Sequence, residues 1–175
     1  MKLVVGVTGA SGIPYAAKLL ESLGGHEVAV IASDTAQQIS EHEIGKKIET
    51  TFENTDLSAP PASGSACYEA MAIIPCSMKT LAGVASGYSD NLILRSADVM
   101  LKEGRKLIIV PRETPLSLIH LRNMAKAKEA GATILPAMPA FYHKPEKIQD
   151  QVGFIAGKVL EQLGIGHSLY KKWKS

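Results

Sequence analysis

Apolar positions along this chain alternate between two periods. Short, nearly continuous apolar runs occur at Lys2–Thr8 (KLVVGVT), His26–Ile31 (HEVAVI), Ala70–Pro75 (AMAIIP), Lys106–Val110 (KLIIV) and Thr133–Leu135 (TIL). Runs of this length and composition predict strands buried on both faces. Between them the apolar residues recur at helical spacing. The first such stretch carries Tyr15, Ala16, Leu19, Leu20 and Leu23 and stops at Gly24-Gly25. A second runs from Thr35 through Ile39 to Glu43, and a helix of small residues follows Cys76-Ser77 to about Ala85. Asp90–Glu103 is amphipathic and ends at Gly104, and Leu116–Ala130 ends at Gly131. The last helix can begin at Pro145 and continues through Val152, Ile155, Val159 and Leu163. Gly45–Gly64 is polar, then rich in Pro and Ser, and reads as a surface connection.

Strands alternating with helices predict an α/β fold with a parallel sheet flanked by helices on both faces, and 175 residues suit a single domain, 1–175. In such sheets ligands bind beyond the carboxyl ends of the strands. Gly9–Gly12, Ser33-Asp34, Cys76–Thr80, Arg112-Glu113 and the Pro139–His143 loop all follow strand ends, so they are expected on one rim.

Composition narrows the classes of function. Net charge is +2 and no Lys/Arg stripe is present beyond the tail Lys171–Lys174, which argues against nucleic acid. No apolar run approaches the ~18 residues of a membrane span, and the N-terminus lacks a signal-peptide layout. Two cysteines, Cys67 and Cys76, make neither a disulfide framework nor a four-thiolate zinc site, so a reducing cytoplasmic setting is expected.

Gly9-Ala10-Ser11-Gly12 joins a strand to a helix, an arrangement whose backbone amides and helix macrodipole suit a phosphate. Ser11 reads either as the N-cap of that helix or as a site hydroxyl. The turn resembles that of short-chain dehydrogenases, but no G-x-G-x-x-G is present. Ser77-Met78-Lys79-Thr80 opens another helix with two hydroxyls and an ammonium, again suiting a cap or a phosphate. Arg112-Glu113, bracketed by Pro111 and Pro115, pairs a bidentate anion ligand with a proton-transfer group. Arg95 and Lys102 share one helix face, and Glu43, Tyr142 and Lys158 have no independent claim from spacing. His120, within an apolar LIHL stretch, reads as a core histidine, and Cys76 as a small buried hydrophobe.

GVTGASG, CSMKT, LRSADVMLKE, VPRETPLS and PAFYHKP together resemble the UbiX-type flavin prenyltransferases, in order and across essentially the whole chain. The resemblance implies a three-layer Rossmann-like (flavodoxin-like) fold and a homododecamer with FMN at subunit interfaces. It implies metal-independent transfer of a dimethylallyl group from dimethylallyl phosphate to N5 and C6 of reduced FMN. The prenylated FMN then serves UbiD-type decarboxylases. Matched residue by residue, Gly9, Ala10, Ser11, Ser33, Ser77, Met78, Lys79, Thr80, Arg95 and Arg112 fall at flavin-binding positions. Lys102, Arg112, Glu113, Tyr142, Lys158 and Trp173 fall at positions around the prenyl phosphate and dimethylallyl group. Ser11, Glu43, Glu113 and Tyr142 are then the candidate catalytic residues. Some members carry Arg where this chain has Lys158 and Gly where it has Lys79. Two other readings stand beside this one. The first is a flavin-dependent cysteine decarboxylase, for which His42 lies in a suitable region although the group's P-x-M-N-x-x-M-W motif is absent. The second is an FMN-binding carrier without chemistry of its own.

Overall fold

The computed structural model describes residues 1–173; Lys174, the last lysine of the basic tail, lies outside them. Five parallel strands, β1 (Lys2–Val7), β2 (Glu27–Ala32), β3 (Ala70–Cys76), β4 (Lys106–Pro111) and β5 (Thr133–Ile134), pair in the order β2-β1-β3-β4-β5. Because side chains alternate across a pleat, Leu3, Val5 and Val7 of β1 point to one core and Val4 to the other. Both faces therefore need apolar residues, which is why the strands read as unbroken apolar runs.

The first core lies beneath α1 (Ile13–Ser22) and α6 (Ile148–Leu163), with α2 (Asp34–Ile44) packed beside α1. The second lies beneath α3 (Met78–Ser86), α4 (Leu92–Lys102) and α5 (Leu118–Glu129). The result is the three-layer, flavodoxin-like arrangement expected of the sequence. The connection after α2 runs along the β2 edge, where the Thr51 amide donates to the Val30 carbonyl at 2.8 Å. It then makes single-turn 3₁₀ helices at Pro60–Ala62 and Gly64–Ala66.

Two local expectations change. The last helix begins at Ile148 rather than Pro145, because Asp150 accepts the Glu146 and Lys147 amides at 2.8 and 2.9 Å and fixes the start there. His120 is not a core residue. Its Nδ1 accepts from the Ser117 amide while Ser117 Oγ accepts from the His120 amide, a reciprocal cap at the start of α5. The apolar stretch around it is largely outside, with Leu118, Ile119 and Leu121 exposed by 59%, 68% and 49%. Cys76 is wholly buried as expected, and burial pushes its thiol far up.

Candidate active site

The strand order reverses between β1 and β3, and the carboxyl ends of these two strands open a crevice. Two adjoining cavities fill it, of about 600 and 270 Å³, with Gly9 and Ser77 in the walls of both. Gly9, Ala10, Ser11, Glu43, Ser77, Met78, Arg112 and Glu113 come together in the larger one. Ser33, Lys79 and Thr80 line the smaller one.

The glycine turn is built differently from the sequence expectation. Gly12, at φ 111°, is the residue before α1, so Ser11 is not its cap. The amides of Gly12 and Ile13 instead donate to Glu43 Oε2 at 2.9 and 2.8 Å, and Gly12 also reaches Oε1 at 3.2 Å. A carboxylate from the end of α2 thus occupies the positive end of α1, where the sequence suggested a ligand phosphate. Ser11 is left exposed on the cavity wall. Its carbonyl accepts from Arg112 Nε at 3.1 Å, tying the β4 loop to the glycine turn. Glu113 accepts from the Thr114 amide at 3.0 Å, so the adjacent charges of Arg112 and Glu113 are each engaged elsewhere. Tyr15 stands beside this group. Burial pushes its phenol upward, with Arg112 opposing the shift and Glu43 adding to it.

The smaller cavity has the donors that the α1 end lacks. Thr8 Oγ1 donates to the Pro75 carbonyl at 2.9 Å and accepts from the Ser77 amide at 2.7 Å, pinning the start of α3 against β1. Ser77 caps α3 by accepting from the Thr80 amide at 3.3 Å, and Ser33 caps α2 from Ala36 at 3.2 Å. Both are N-caps and cavity hydroxyls at once. Three helix starts, the hydroxyls of Ser33, Thr35, Ser77 and Thr80 and the Lys79 ammonium converge here, a donor set that fits a phosphate monoester. Gly9 makes the approach possible, since a Cβ there would sit 2.7 Å from Thr35 Cβ. The larger cavity, walled by the Gly9–Ser11 backbone, Ile39 and Met78, fits the flat, partly apolar ring of a flavin. Residues present here thus fit FMN.

Other predicted residues are not brought to these cavities by their own chain. Arg95 turns away, donating from Nε to the Ala62 carbonyl at 3.1 Å and from Nη1 to Asp98 at 2.6 Å. Lys102 pairs with Glu103 at the far end of α4, about 16 Å along the axis from Asn91 at the rim, given a helical rise of ~1.5 Å per residue. Lys158 pairs with Glu161 within α6 at 2.5 Å. Tyr142 lies on the loop after β5, edge-on to Phe154 and to Trp173 with ring centroids 5.9 and 5.4 Å apart.

Several wall residues carried no sequence signal. Thr8 ends an apolar strand, and Asn54 sits in the connection read as surface. Yet Asn54 accepts the amides of Leu92 and Ile93 and so fixes the start of α4 at the smaller cavity. His42, read as a marker of another family, lines the larger cavity.

Strand order and site together define an α/β flavoprotein, and a family model described as Flavoprotein matches residues 1–160. Over 181 residues the chain is 49% identical to the flavin prenyltransferase UbiX of Methanocaldococcus jannaschii, spanning 99% of this chain and 98% of that one. A dodecameric FMN-dependent UbiX-like decarboxylase from Escherichia coli O157:H7 superimposes with a TM-score of 0.96 at 42% identity, covering 100% of both chains. AnUbiX (PadA1), solved with FMN and dimethylallyl pyrophosphate, superimposes at 0.93 with 37% identity, covering 99% of this chain and 97% of that one. The chain belongs to the UbiX flavin prenyltransferase family. Among the described residues no helix is long and apolar enough to cross a membrane.

Proposed function

We propose that this chain is a single flavoprotein domain that transfers a dimethylallyl group from dimethylallyl phosphate to N5 and C6 of reduced FMN. The product, prenylated FMN, goes to a UbiD-type decarboxylase. The observation that carries this reading is the paired cavity at the β1/β3 crevice. One half holds a phosphate donor set, and the other has a guanidinium and a carboxylate at its wall.

Reduced FMN, when bound, supplies the nucleophilic positions that accept the allyl group. The remaining work falls to the protein. Ser33, Ser77, Lys79 and Thr80 would hold the flavin phosphate, and the Gly9–Ser11 backbone and Met78 would flank the ring, with Ser11 on the wall of the same cavity. Cleavage of a primary allylic C–O bond leaves negative charge on the departing phosphate, and positive groups there lower the barrier. Arg112 serves this role from within its own chain. Its Nε is spent on Ser11, leaving both Nη groups to engage phosphate oxygens. Tyr142 adds a neutral donor, and Glu113 moves protons at the phosphate. Trp173 offers a π face to the developing allyl cation.

Lys102 and Arg95 serve a cavity in a neighbouring copy, a reading supported by the place of Lys102 at the far end of α4 and by the turn of Arg95 onto Ala62 and Asp98. Assembly into a dodecamer suits the exposed apolar side chains of α5 and those of Phe141 and Ile148, 77% and 79% exposed. Both cysteines are free, in keeping with a cytoplasmic setting.

Anaerobic incubation with reduced FMN and dimethylallyl phosphate, followed by mass analysis of the flavin, tests the reading. A gain of one C5 unit with two new flavin bonds is expected. An unchanged flavin mass with both the mono- and diphosphate donors overturns it in favour of an FMN carrier.

A further inference from the structure

The segment that follows α6 folds back along that helix. Residues 165–173 form a strap with no strand or helix of its own. Its seat is cut into α6 by two glycines one turn apart. A Cβ on Gly157 would lie 2.6 Å from His167 Cε1 and 2.7 Å from Tyr170 Cε1, and a Cβ on Gly153 would lie 3.1 Å from the Leu169 carbonyl oxygen. Glycine is costly inside a helix. Here it lets the strap's rings rest directly on the helix backbone.

One carboxylate fastens the strap. Glu161 Oε1 accepts from the Tyr170 hydroxyl at 2.6 Å, and His167 Nε2 stands 3.6 Å from the same oxygen. Because His167 Nδ1 accepts from the Leu169 amide, the neutral imidazole carries its proton on Nε2, toward Glu161. The imidazole is itself only 5% exposed. Lys172 Nζ, farther along the strap, lies 3.9 Å from the same oxygen. The other oxygen, Oε2, accepts from Lys158 Nζ at 2.5 Å. Trp173, the last described residue of the strap, meets Tyr142 with its ring.

We propose that Glu161 is a positioning residue, which clasps the strap bearing Trp173 to α6 and, with its second oxygen, fixes the Lys158 ammonium for the donor phosphate. The assignment rests on the position at the donor phosphate that the family resemblance gives Lys158 and on the proposed role of Trp173. A lysine ammonium has three donors on a flexible stem. Holding one donor on Glu161 restricts the stem and leaves two for a phosphate. Tyr142, between Phe154 of α6 and Trp173, is aligned by the same clasp.

Trp173 is the single tryptophan of the chain, so its fluorescence reports the strap directly. Acrylamide quenching and steady-state kinetics with dimethylallyl phosphate are measured on the assembled protein and on Glu161→Gln, Glu161→Asp, Tyr170→Phe and Lys158→Met. Glu161→Gln is expected to raise the quenching constant about twofold and KM for the donor about tenfold, with partial recovery of both in Glu161→Asp. Tyr170→Phe is expected to raise quenching with little change in KM, and Lys158→Met to raise KM with quenching unchanged. Wild-type quenching in Glu161→Gln overturns the clasp. Raised quenching with wild-type KM in that variant overturns the link to Lys158. An unchanged KM in Lys158→Met overturns the phosphate role of Lys158 and with it that half of the proposal, while the quenching data still judge the clasp separately.

Discussion

Glu43 fills the place at α1 where a dinucleotide site would hold phosphate, and its removal has a calculable cost. Its carboxylate receives two short hydrogen bonds from the Gly12 and Ile13 amides, in a half-buried position. Hydrogen bonds to charged groups contribute ~1.5–3 kcal/mol each in net terms, and the helix-dipole contribution of ~0.3–1 kcal/mol is partly contained in them. Solvent reaches the amides once the side chain is gone, which recovers part of the loss. Glu43→Ala should therefore destabilise by about 2–3 kcal/mol. Glu43→Gln retains one acceptor without the charge and should cost about 1–1.5 kcal/mol. For a chain of this size each kcal/mol moves Tm by ~2–4 °C, so shifts of about 4–12 °C and 2–6 °C are expected. Circular dichroism melts at one fixed protein concentration measure this, since assembly makes Tm concentration-dependent. Turnover should fall as well, because Ser11 sits on the turn that Glu43 anchors. A Tm for Glu43→Ala within about 1 °C of wild type would show that the carboxylate does not hold the turn.

Three further outcomes follow from the geometry. Arg112→Met should lower kcat/KM by roughly 10²–10³, the usual effect of removing one donor at a developing charge, while flavin absorbance titration still reports bound FMN; an effect under threefold would remove Arg112 from the chemistry. Gly9→Ala brings a Cβ to 2.7 Å from Thr35 and should weaken FMN binding by at least about tenfold, measured by the same titration, because the start of α2 has to shift and takes Ser33 and Thr35 out of place. Burial alone would raise the Glu161 carboxyl, but the Lys158 and Tyr170 hydrogen bonds and the nearby ammonium charges hold it below the usual 4.5. A carboxyl lowered by folding stabilises above its unfolded pKa, and that contribution disappears as the pH falls through the folded value. Trp173 quenching in the wild type should thus show a step only below about pH 4.5, and Glu161→Gln should lack that step; the same step in Glu161→Gln would contradict the clasp.

The legible parts of this chain are those governed by local pattern. Strands buried on both faces announce themselves as apolar runs, and glycines with φ > 0, such as Gly87 and Gly164, end helices where the periodicity stops. The rim follows from the strand order, so Ser33, Ser77–Thr80 and Arg112-Glu113 were predictable as neighbours. What was illegible depends on distant partners. Nothing near Glu43 in sequence shows that its carboxylate reaches amides 30 and 31 residues earlier. LIHL looks like core because sequence pattern cannot separate a side chain buried in its own sheet from one exposed on the outer layer. The strap has no period to read, and its seat is visible only once Gly153 and Gly157 share a face with Glu161.

The separation of Lys102 from Arg112 leads to a stringent test. Each chain carries both residues, but Lys102 stands at the end of α4 away from the rim, while Arg112 lines the cavity. If a working site takes Arg112 from one protomer and Lys102 from another, two inactive variants can repair each other. In a co-assembled mixture of Arg112→Met and Lys102→Met chains, some sites combine the intact Arg112 of one variant with the intact Lys102 of the other. For equal amounts and random assembly into a symmetric oligomer, about one site in four is whole, so activity should return to roughly a quarter of wild type. Sites built within one chain give no such return, because every protomer then lacks one of the two cations. Activity of the mixture equal to the mean of the two separate variants would therefore place Lys102 outside the shared site and refute its assignment to the donor phosphate.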